Sequence, residues 1–354
     1  MHKAALVLLI VTGVLSLFGL LMVYDASSFV SFQTFGNRTH YLTEQTISLA
    51  IGIVGLIIAS FIPYKTLLKL ALPLLIGTLF LLVLVFVPGI GLSLNGAHRW
   101  IRLGFGTLQP TEIAKVTLAI YLAAWLSRSE KGRLTAFLVL IGLTLGLVML
   151  QPDMGTGMII LGETLLLYFL SGSPVKQFLA ILPGIGIVGA FLAIIEPYRM
   201  QRLVTFLNPD TSINTQSYHV RQILIALGTG GVFGVGIGNS LQKYAYLPEN
   251  MTDSIFAIIG EEFGFLGTTI FLVACIIFLY CVFSIATNAP SKEGKLLAGG
   301  IGAFLGMQML INLAAQTALI PLTGVPLPFV SYGGTALIVD LITVGIVLNI
   351  ARRQ

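Results

Sequence analysis

Residues 4–24, AALVLLIVTGVLSLFGLLMVY, form a 21-residue run without a charged side chain. As an α-helix rising about 1.5 Å per residue, such a run measures about 30 Å, the thickness of a bilayer's hydrocarbon core. It is too long for the apolar centre of a secretory signal, and the Asp25-Ala-Ser-Ser behind it is a weak cleavage site, so a retained first membrane helix is expected. The rest of the chain reads the same way. Of its 354 residues, 56% are hydrophobic and 9% charged, against about 25% charged in an ordinary soluble domain. No polar stretch is long enough for a separate soluble catalytic domain. The composition predicts an all-α integral membrane protein whose chemistry lies in the membrane or its loops.

Runs long enough to span fall near residues 4–24, 44–62, 66–87, 111–127, 134–150, 155–172, 176–195, 254–284, 296–320 and 335–351. A polytopic bundle of ten helices in a single domain, 1–354, puts both termini on one side. With that side cytoplasmic, the inner loops and tails carry eleven basic residues against Glu130 and Glu293, while the remainder carries eight basic and twelve acidic residues. This is the expected excess of Lys and Arg on the cytoplasmic side. The outer segments are then 25–43, 88–110, 151–153, 196–253 and 321–334, of which 196–253, between spans seven and eight, is by far the largest. The net charge of +5 is scattered over loops, which gives no basic patch for nucleic acid. Cys275 and Cys281 share one apolar run and read as packing residues, without disulfide or metal spacing.

Polar chemistry concentrates in Gln216–Phe263, QSYHVRQILIALGTGGVFGVGIGNSLQKYAYLPENMTDSIFAIIGEEF. Val220, Ile223, Leu224 and Leu227 follow helical spacing and predict a short interfacial helix over Tyr218–Leu227. The glycines from Gly228 to Gly238 follow no strand and predict close backbone packing or a re-entrant turn rather than a nucleotide loop. Asp253 opens the eighth span with Glu249, Glu261, Glu262 and Lys243 close in sequence. Carboxylates are costly near lipid, so their gathering at one boundary points to chemistry or ion handling. The plainer reading is a first-turn Asp favouring the helix dipole, with Thr252 or Asn250 as the cap.

Three further groups stand out. Arg99 and Arg102 flank Trp100, either as an interfacial anchor or as a lining for an anionic headgroup. Glu112 and Lys115 are an i, i+3 pair at the start of the fourth span, and Lys115 should face a cavity or Glu112. Asp153 sits in a tight turn and is expected to bond within it. Glu163 and Asp340 are intramembrane acids whose partners sequence leaves open. Gln308, Asn312 and Gln316 share one face of the ninth span and predict interhelix hydrogen bonds. The 324–334 stretch reads as a non-helical insertion before the last span.

Taken together, NGAHRWI, QPTEIAK, QPDMGT, GVGIGNSLQKYAYLPENMTDSIFAIIGEEFG and GVPLPFVSYGG, in this order, resemble the SEDS family of shape, elongation, division and sporulation proteins. The similarity runs from about residue 95 to the C-terminus and, by span count, over the whole chain. EPYRMQRLVTFLNPD, GNSLQK and IIGEE resemble the division branch, FtsW-like, more than the elongation branch, RodA-like. The resemblance implies a peptidoglycan glycosyltransferase of the bacterial cytoplasmic membrane. Such an enzyme polymerises lipid II on the outer face beside a class B penicillin-binding transpeptidase and other division or elongation proteins. It has no organic cofactor, but a divalent cation such as Mg2+ is expected. The family's catalytic Asp maps onto Asp253, and its other motif positions onto Arg99, Glu112, Lys115, Asp153, Lys243 and Glu249. Ser254 stands where the family usually has Phe, and Thr111 where it usually has Ser; neither touches the carboxylate. The rival readings are a flippase for the lipid-linked precursor and a scaffold that only recruits division proteins.

Overall fold

The computed structural model describes residues 3–94, 97–104, 106–128, 132–195, 197–207, 215–244 and 246–353. Asn95 and Gly96 of the first motif, Glu130 and Lys131 of an inner loop, Glu196, and residues 208–214 of the large outer segment, all used in the sequence reading, lie outside the described residues.

Every expected span coincides with helix. In order these are α1 (Lys3–Phe35), α2 (His40–Phe61), the pair α3 (Tyr64–Lys69) and α4 (Ala71–Leu84), α5 (Pro110–Leu126), α6 (Arg133–Leu150), α7 (Met154–Leu170) and α8 (Val175–Ile195). The large segment carries α9 (Pro197–Leu207) and α10 (Thr215–Thr229), and α11 (Ile255–Thr287), α12 (Lys292–Gln316) and α13 (Gly334–Ala351) complete the bundle. Among the described residues, α1, α2, α6, α11, α12 and α13 are each long and apolar enough to cross a membrane. Outward apolar side chains such as Leu17, Phe80, Val139 and Ile276 are more than half exposed, as a lipid-facing surface requires and an aqueous one does not. This is a multi-pass membrane protein. At its centre α12 packs against α11, α7, α5 and α13, and α2 lies along α13.

Four local features depart from the expected outline. Helix α1 continues past Tyr24, because Ala26, Ser27 and Ser31 turn inward and are buried, so Asp25 lies inside a helix. The third span is split at Leu70: the Pro73 ring would meet the carbonyl of Lys69 in one continuous helix, and Pro fits the first turn of α4 instead. Residues 91–108 form an antiparallel sheet in the order β1 (Gly91–Leu94), β2 (Ala97–Leu103), β3 (Gly106–Leu108), with Leu92 opposite Trp100 and Arg102 opposite Thr107. Ala97 and Ile101 of β2 are buried while His98 and Arg102 are exposed, the two-residue alternation of a strand.

The fourth feature is a break in α11 at Gly264, whose φ of 64 and ψ of −164 leave the helical region. A break frees backbone groups that a membrane interior cannot hydrate. The glycine-rich stretch after α10 satisfies them: Val235 and Gly236 donate N–H to the carbonyls of Glu261 and Glu262 at 3.0 and 3.1 Å, while Phe265 and Leu266 donate to Gly231 and Val232 at 2.9 and 3.0 Å. A Cβ on Gly234 would lie 2.1 Å from the Glu262 carbonyl oxygen, so only glycine permits this approach. The expected close backbone packing is present, and its partner is the broken span itself.

Candidate active site

Asp253 lies in the turn that precedes α11, half-buried. Ser254, not Thr252 or Asn250, occupies the N-cap position, and it makes no capping bond. The side chains expected to cap are engaged elsewhere. Thr252 Oγ1 donates to Asp253 Oδ1 at 2.9 Å and lies 3.0 Å from Glu249 Oε2, and Asn250 Nδ2 donates to the carbonyls of Ala26 and Lys243 at 3.0 and 3.1 Å. Glu249 is exposed with φ +50, and its carbonyl accepts from the N–H groups of Thr252 and Ser254. The two carboxylates, Asp253 and Glu249, thus meet at one threonine hydroxyl.

Two structures fix the backbone of this turn. Asn312 Nδ2 of α12 donates to the carbonyls of Asp253 (3.0 Å) and Val325 (2.7 Å). Gln316, one turn on, donates to Asn312 Oδ1 at 2.7 Å and accepts from the N–H of Ala257 at 2.8 Å, satisfying a first-turn amide of α11. Gln308, one turn back, donates to the Pro326 carbonyl at 3.0 Å. The α12 stripe makes the expected interhelix bond through Gln308 Oε1, which accepts from Lys115 of α5, and otherwise binds non-helical backbone and a helix start. From the other side, the non-helical segment after α12 adds a bond from Tyr332 N–H to the Met251 carbonyl at 2.8 Å and one from Ser331 Oγ to the Thr252 carbonyl.

Burial raises the Asp253 carboxyl above the usual carboxylate range, against the Thr252 hydroxyl, its own backbone N–H and the positive charges of Arg202 and Arg99, which pull it down. Arg99 is anchored on the 151–153 turn: Nε donates to the Gln151 carbonyl at 3.3 Å, a second nitrogen reaches the Pro152 carbonyl, and Nη1 stands 3.9 Å from Asp153 Oδ1. Asp153 caps α7, accepting from Thr156 N–H and Oγ1 at 3.3 and 2.8 Å; its expected bond within the turn is the one observed. Arg102 stands exposed on β2.

Other expected site residues lie further in. Lys115 is fully buried, 2.8 Å from Glu112 Oε2 and bonded to Gln308 Oε1, with Glu163 and Asp340 within electrostatic reach. Lys243 is buried with its ammonium 2.8 and 3.0 Å from the two Asp25 oxygens and 3.1 Å from Glu262 Oε1. It is thereby a counter-ion to two carboxylates and is not presented to a ligand. Glu261 accepts from Ser240 Oγ and from the N–H groups of Leu241 and Gln242 at 3.1 and 3.4 Å, and Glu262 from Ser240 N–H at 3.2 Å. Of the acids gathered in sequence, only Glu249 joins Asp253; Glu261 and Glu262 instead tie down the 240–243 loop.

Two residues near Asp253 were not singled out from sequence. Arg202 on α9 donates to the Leu322 carbonyl at 2.8 Å, and its signal was a pair of arginines, Arg199 and Arg202, in a polar run. His219 on α10 lies 2.7 Å from Ser254 Oγ. Burial pushes its pKa down to about 4, with Glu249 raising and Arg202 lowering it. Among the described residues no cluster of three His, Cys, Asp or Glu is placed to hold a metal.

The sequence model of the FTSW_RODA_SPOVE family, described as cell cycle proteins, matches residues 5–354. This chain belongs to that family. It is 37% identical to a probable peptidoglycan glycosyltransferase FtsW of Geobacter sp. strain M18, over 99% of this chain and 97% of that one. It is 36% identical to stage V sporulation protein E of Bacillus subtilis strain 168, over 98% and 96%. Among solved structures it resembles, at a TM-score of 0.80 and 27% identity over 98% and 97%, a chain of a peptidoglycan synthase complex described as structurally coordinating polymerization and crosslinking. The rod shape determining protein RodA of Thermus thermophilus matches at a TM-score of 0.72 and 28% identity, over 98% and 95%.

Proposed function

We propose that this chain is a peptidoglycan glycosyltransferase of the division branch, polymerising lipid II into β-1,4 glycan on the outer membrane face with Asp253 as general base. The observation that carries the residue assignment is the doubly anchored turn. Asn312 and the segment after α12 hold its backbone, while the carboxylate stays half-exposed at a bundle end. The division-branch reading rests on whole-length relatives named FtsW.

In the reaction, Asp253 takes the proton from the acceptor sugar's 4-hydroxyl. That oxygen forms its bond to the donor's anomeric carbon, and the bond from that carbon to the diphosphate breaks, its electron pair leaving with the lipid diphosphate. The leaving group is already good, so the residues need to supply a base and positive potential rather than a strong acid. Arg99, Arg102 and Arg202 supply that potential. Two carboxylates and the substrate's phosphates are what Mg2+ requires, and Asp253 with Glu249, joined at the Thr252 hydroxyl, are the residues that would hold it. When bound it would neutralise phosphate charge. The synthase complex among the structural relatives supports a cross-linking partner, here a class B penicillin-binding transpeptidase.

The test is glycan polymerisation from purified lipid II by the protein with its cognate transpeptidase. Asp253→Asn should lower the rate about 10²- to 10⁴-fold while leaving the thermal melt unchanged. The wild-type rate should rise with pH as Asp253 loses its proton, with its acid limb above the ordinary value of 3.8 because burial raises the carboxyl. A full ladder from the variant would remove Asp253 from the role. No ladder from either folded protein, with headgroup translocation in liposomes, would favour the flippase.

A further inference from the structure

At the end of the bundle opposite Asp253, α3, the C-terminus of α5 and the N-terminus of α12 enclose a cavity of about 340 Å³ lined by Lys65, Lys69, Arg128, Ser127, Ser291 and Glu293, among others. Its position follows from the helix directions. The start of α5 touches the start of α13, where Gln109 N–H meets Thr335 Oγ1 at 3.3 Å. Arg128 lies just past the other end of α5. The start of α3 is fixed to the end of α13 by Tyr64 N–H donating to Asn349 Oδ1 at 2.9 Å.

We propose that this cavity binds the phosphate group of an anionic membrane lipid, a site distinct from the one around Asp253 and independent of the transferase reading. Four observations support it. Three cations face one carboxylate across the lining, and among the described residues none of the three is held in an ion pair: all are exposed, and the ion pairs of Glu112, Asp25 and Glu262 are made with Lys115 and Lys243. Lys65 and Lys69 are one helical turn apart and so share a face. The walls are braced, since Tyr64 OH lies 3.0 Å from Ser291 Oγ, which also caps α12 by accepting from Gly294 N–H at 3.1 Å. Beside the polar opening, Phe61, Ile62, Leu70 and Leu72 expose apolar surface at 67%, 38%, 48% and 54%. Phosphate on the cations with acyl chains along those residues matches the arrangement by which basic pockets between membrane helices take lipid headgroups. The volume suits a headgroup rather than a bare ion, lying within the roughly 300–1,000 Å³ of small-ligand sites. Glu293 is left facing a hydroxyl or ammonium of the headgroup.

The experiment is native mass spectrometry of the full chain in detergent, titrated separately with phosphatidylglycerol, phosphatidylcholine and inorganic phosphate. It compares wild type with the triple variant Lys65→Gln, Lys69→Gln, Arg128→Gln and with Arg128→Gln alone. Phosphatidylglycerol should bind the wild type more tightly than phosphatidylcholine, and each cation removed should weaken it about fivefold, to about a hundredfold in the triple variant. Inorganic phosphate that binds equally well and displaces the lipid would keep the phosphate site and assign it to a soluble ligand. Equal phosphatidylglycerol affinity in wild type and in a triple variant with an unchanged melt would overturn the proposal, as would no binding of either anion by wild type.

Discussion

Lys243 shows how far a charge can stand from its expected task. Its place in a family motif close to Asp253 in sequence implied a site residue, yet its ammonium is shared between Asp25 and Glu262. Removing one partner of a buried ion group leaves the others uncompensated, at a cost of about 3–5 kcal/mol. Lys243→Met should therefore lower the melting temperature strongly, and adding Asp25→Leu should recover part of the loss; a Lys243→Met protein as stable as wild type would contradict this. The pH dependence has a definite sign. Burial lowers the Lys243 pKa, but hydrogen bonds and charges from Asp25 and Glu262 outweigh it, so the net shift is upward from 10.5. The stabilisation is complete below that value and disappears as pH rises through the raised one. The Glu112–Lys115 pair was legible because three residues along a helix fix neighbours. Asp25 and Lys243 meet across 218 positions, and no local spacing announces that. Arg202 and His219 were missed for the same reason: their importance comes from what the fold places against Asp253.

Among the elements, the interrupted α11 and its glycine-rich partner form one structural unit. Gly234→Ala would set a methyl against the Glu262 carbonyl and strain a residue whose φ is +80. Overpacking of this kind costs about 1–3 kcal/mol, and the loss should appear as a lower melt, with faster amide exchange at Val235 and Gly236. A Gly234→Ala protein exchanging as slowly as wild type would show the contact to be dispensable. The density of glycines forecast close backbone packing, but not the interruption they serve, because Glu261-Glu262-Phe263-Gly264 sits within a run whose hydrophobicity is continuous on both sides. The small sheet was missed because its strands are short and two-residue alternation in β2 is masked by arginines on both faces.

Across the whole molecule, the apolar runs and the uneven distribution of Lys and Arg were enough to outline the bundle, since bilayer thickness leaves few ways to fold such a chain. Sidedness is open to direct measurement. Cysteines at Lys292 and at Leu241, both exposed, should react with a membrane-impermeant thiol reagent from opposite faces, Leu241→Cys from outside intact cells. The native Cys275 and Cys281 are buried and give little background. Labelling of both from one face would break the orientation used for the transferase reading.

The Asp25–Lys243–Glu262 group also serves as a height gauge. From Lys3 to Asp25 in α1, and from Thr287 back to Glu262 in α11, the helices measure about 33 and 37 Å, roughly a hydrocarbon core and a little more. The triad consequently marks the waterline. The Asp253 turn stands close to that level, because Asn250 Nδ2 bonds the carbonyls of Ala26, next to Asp25, and of Lys243, so the piece of α11 beyond Gly264, Ile255–Phe263, does not lift it further from the membrane. On the transferase reading, a substrate tethered by its polyprenyl chain would bring its diphosphate, and the sugar carbon bonded to it, to that same level beside the carboxylate. Each added unit would then be joined at one fixed altitude, and the polymer would leave sideways along the membrane rather than away from it.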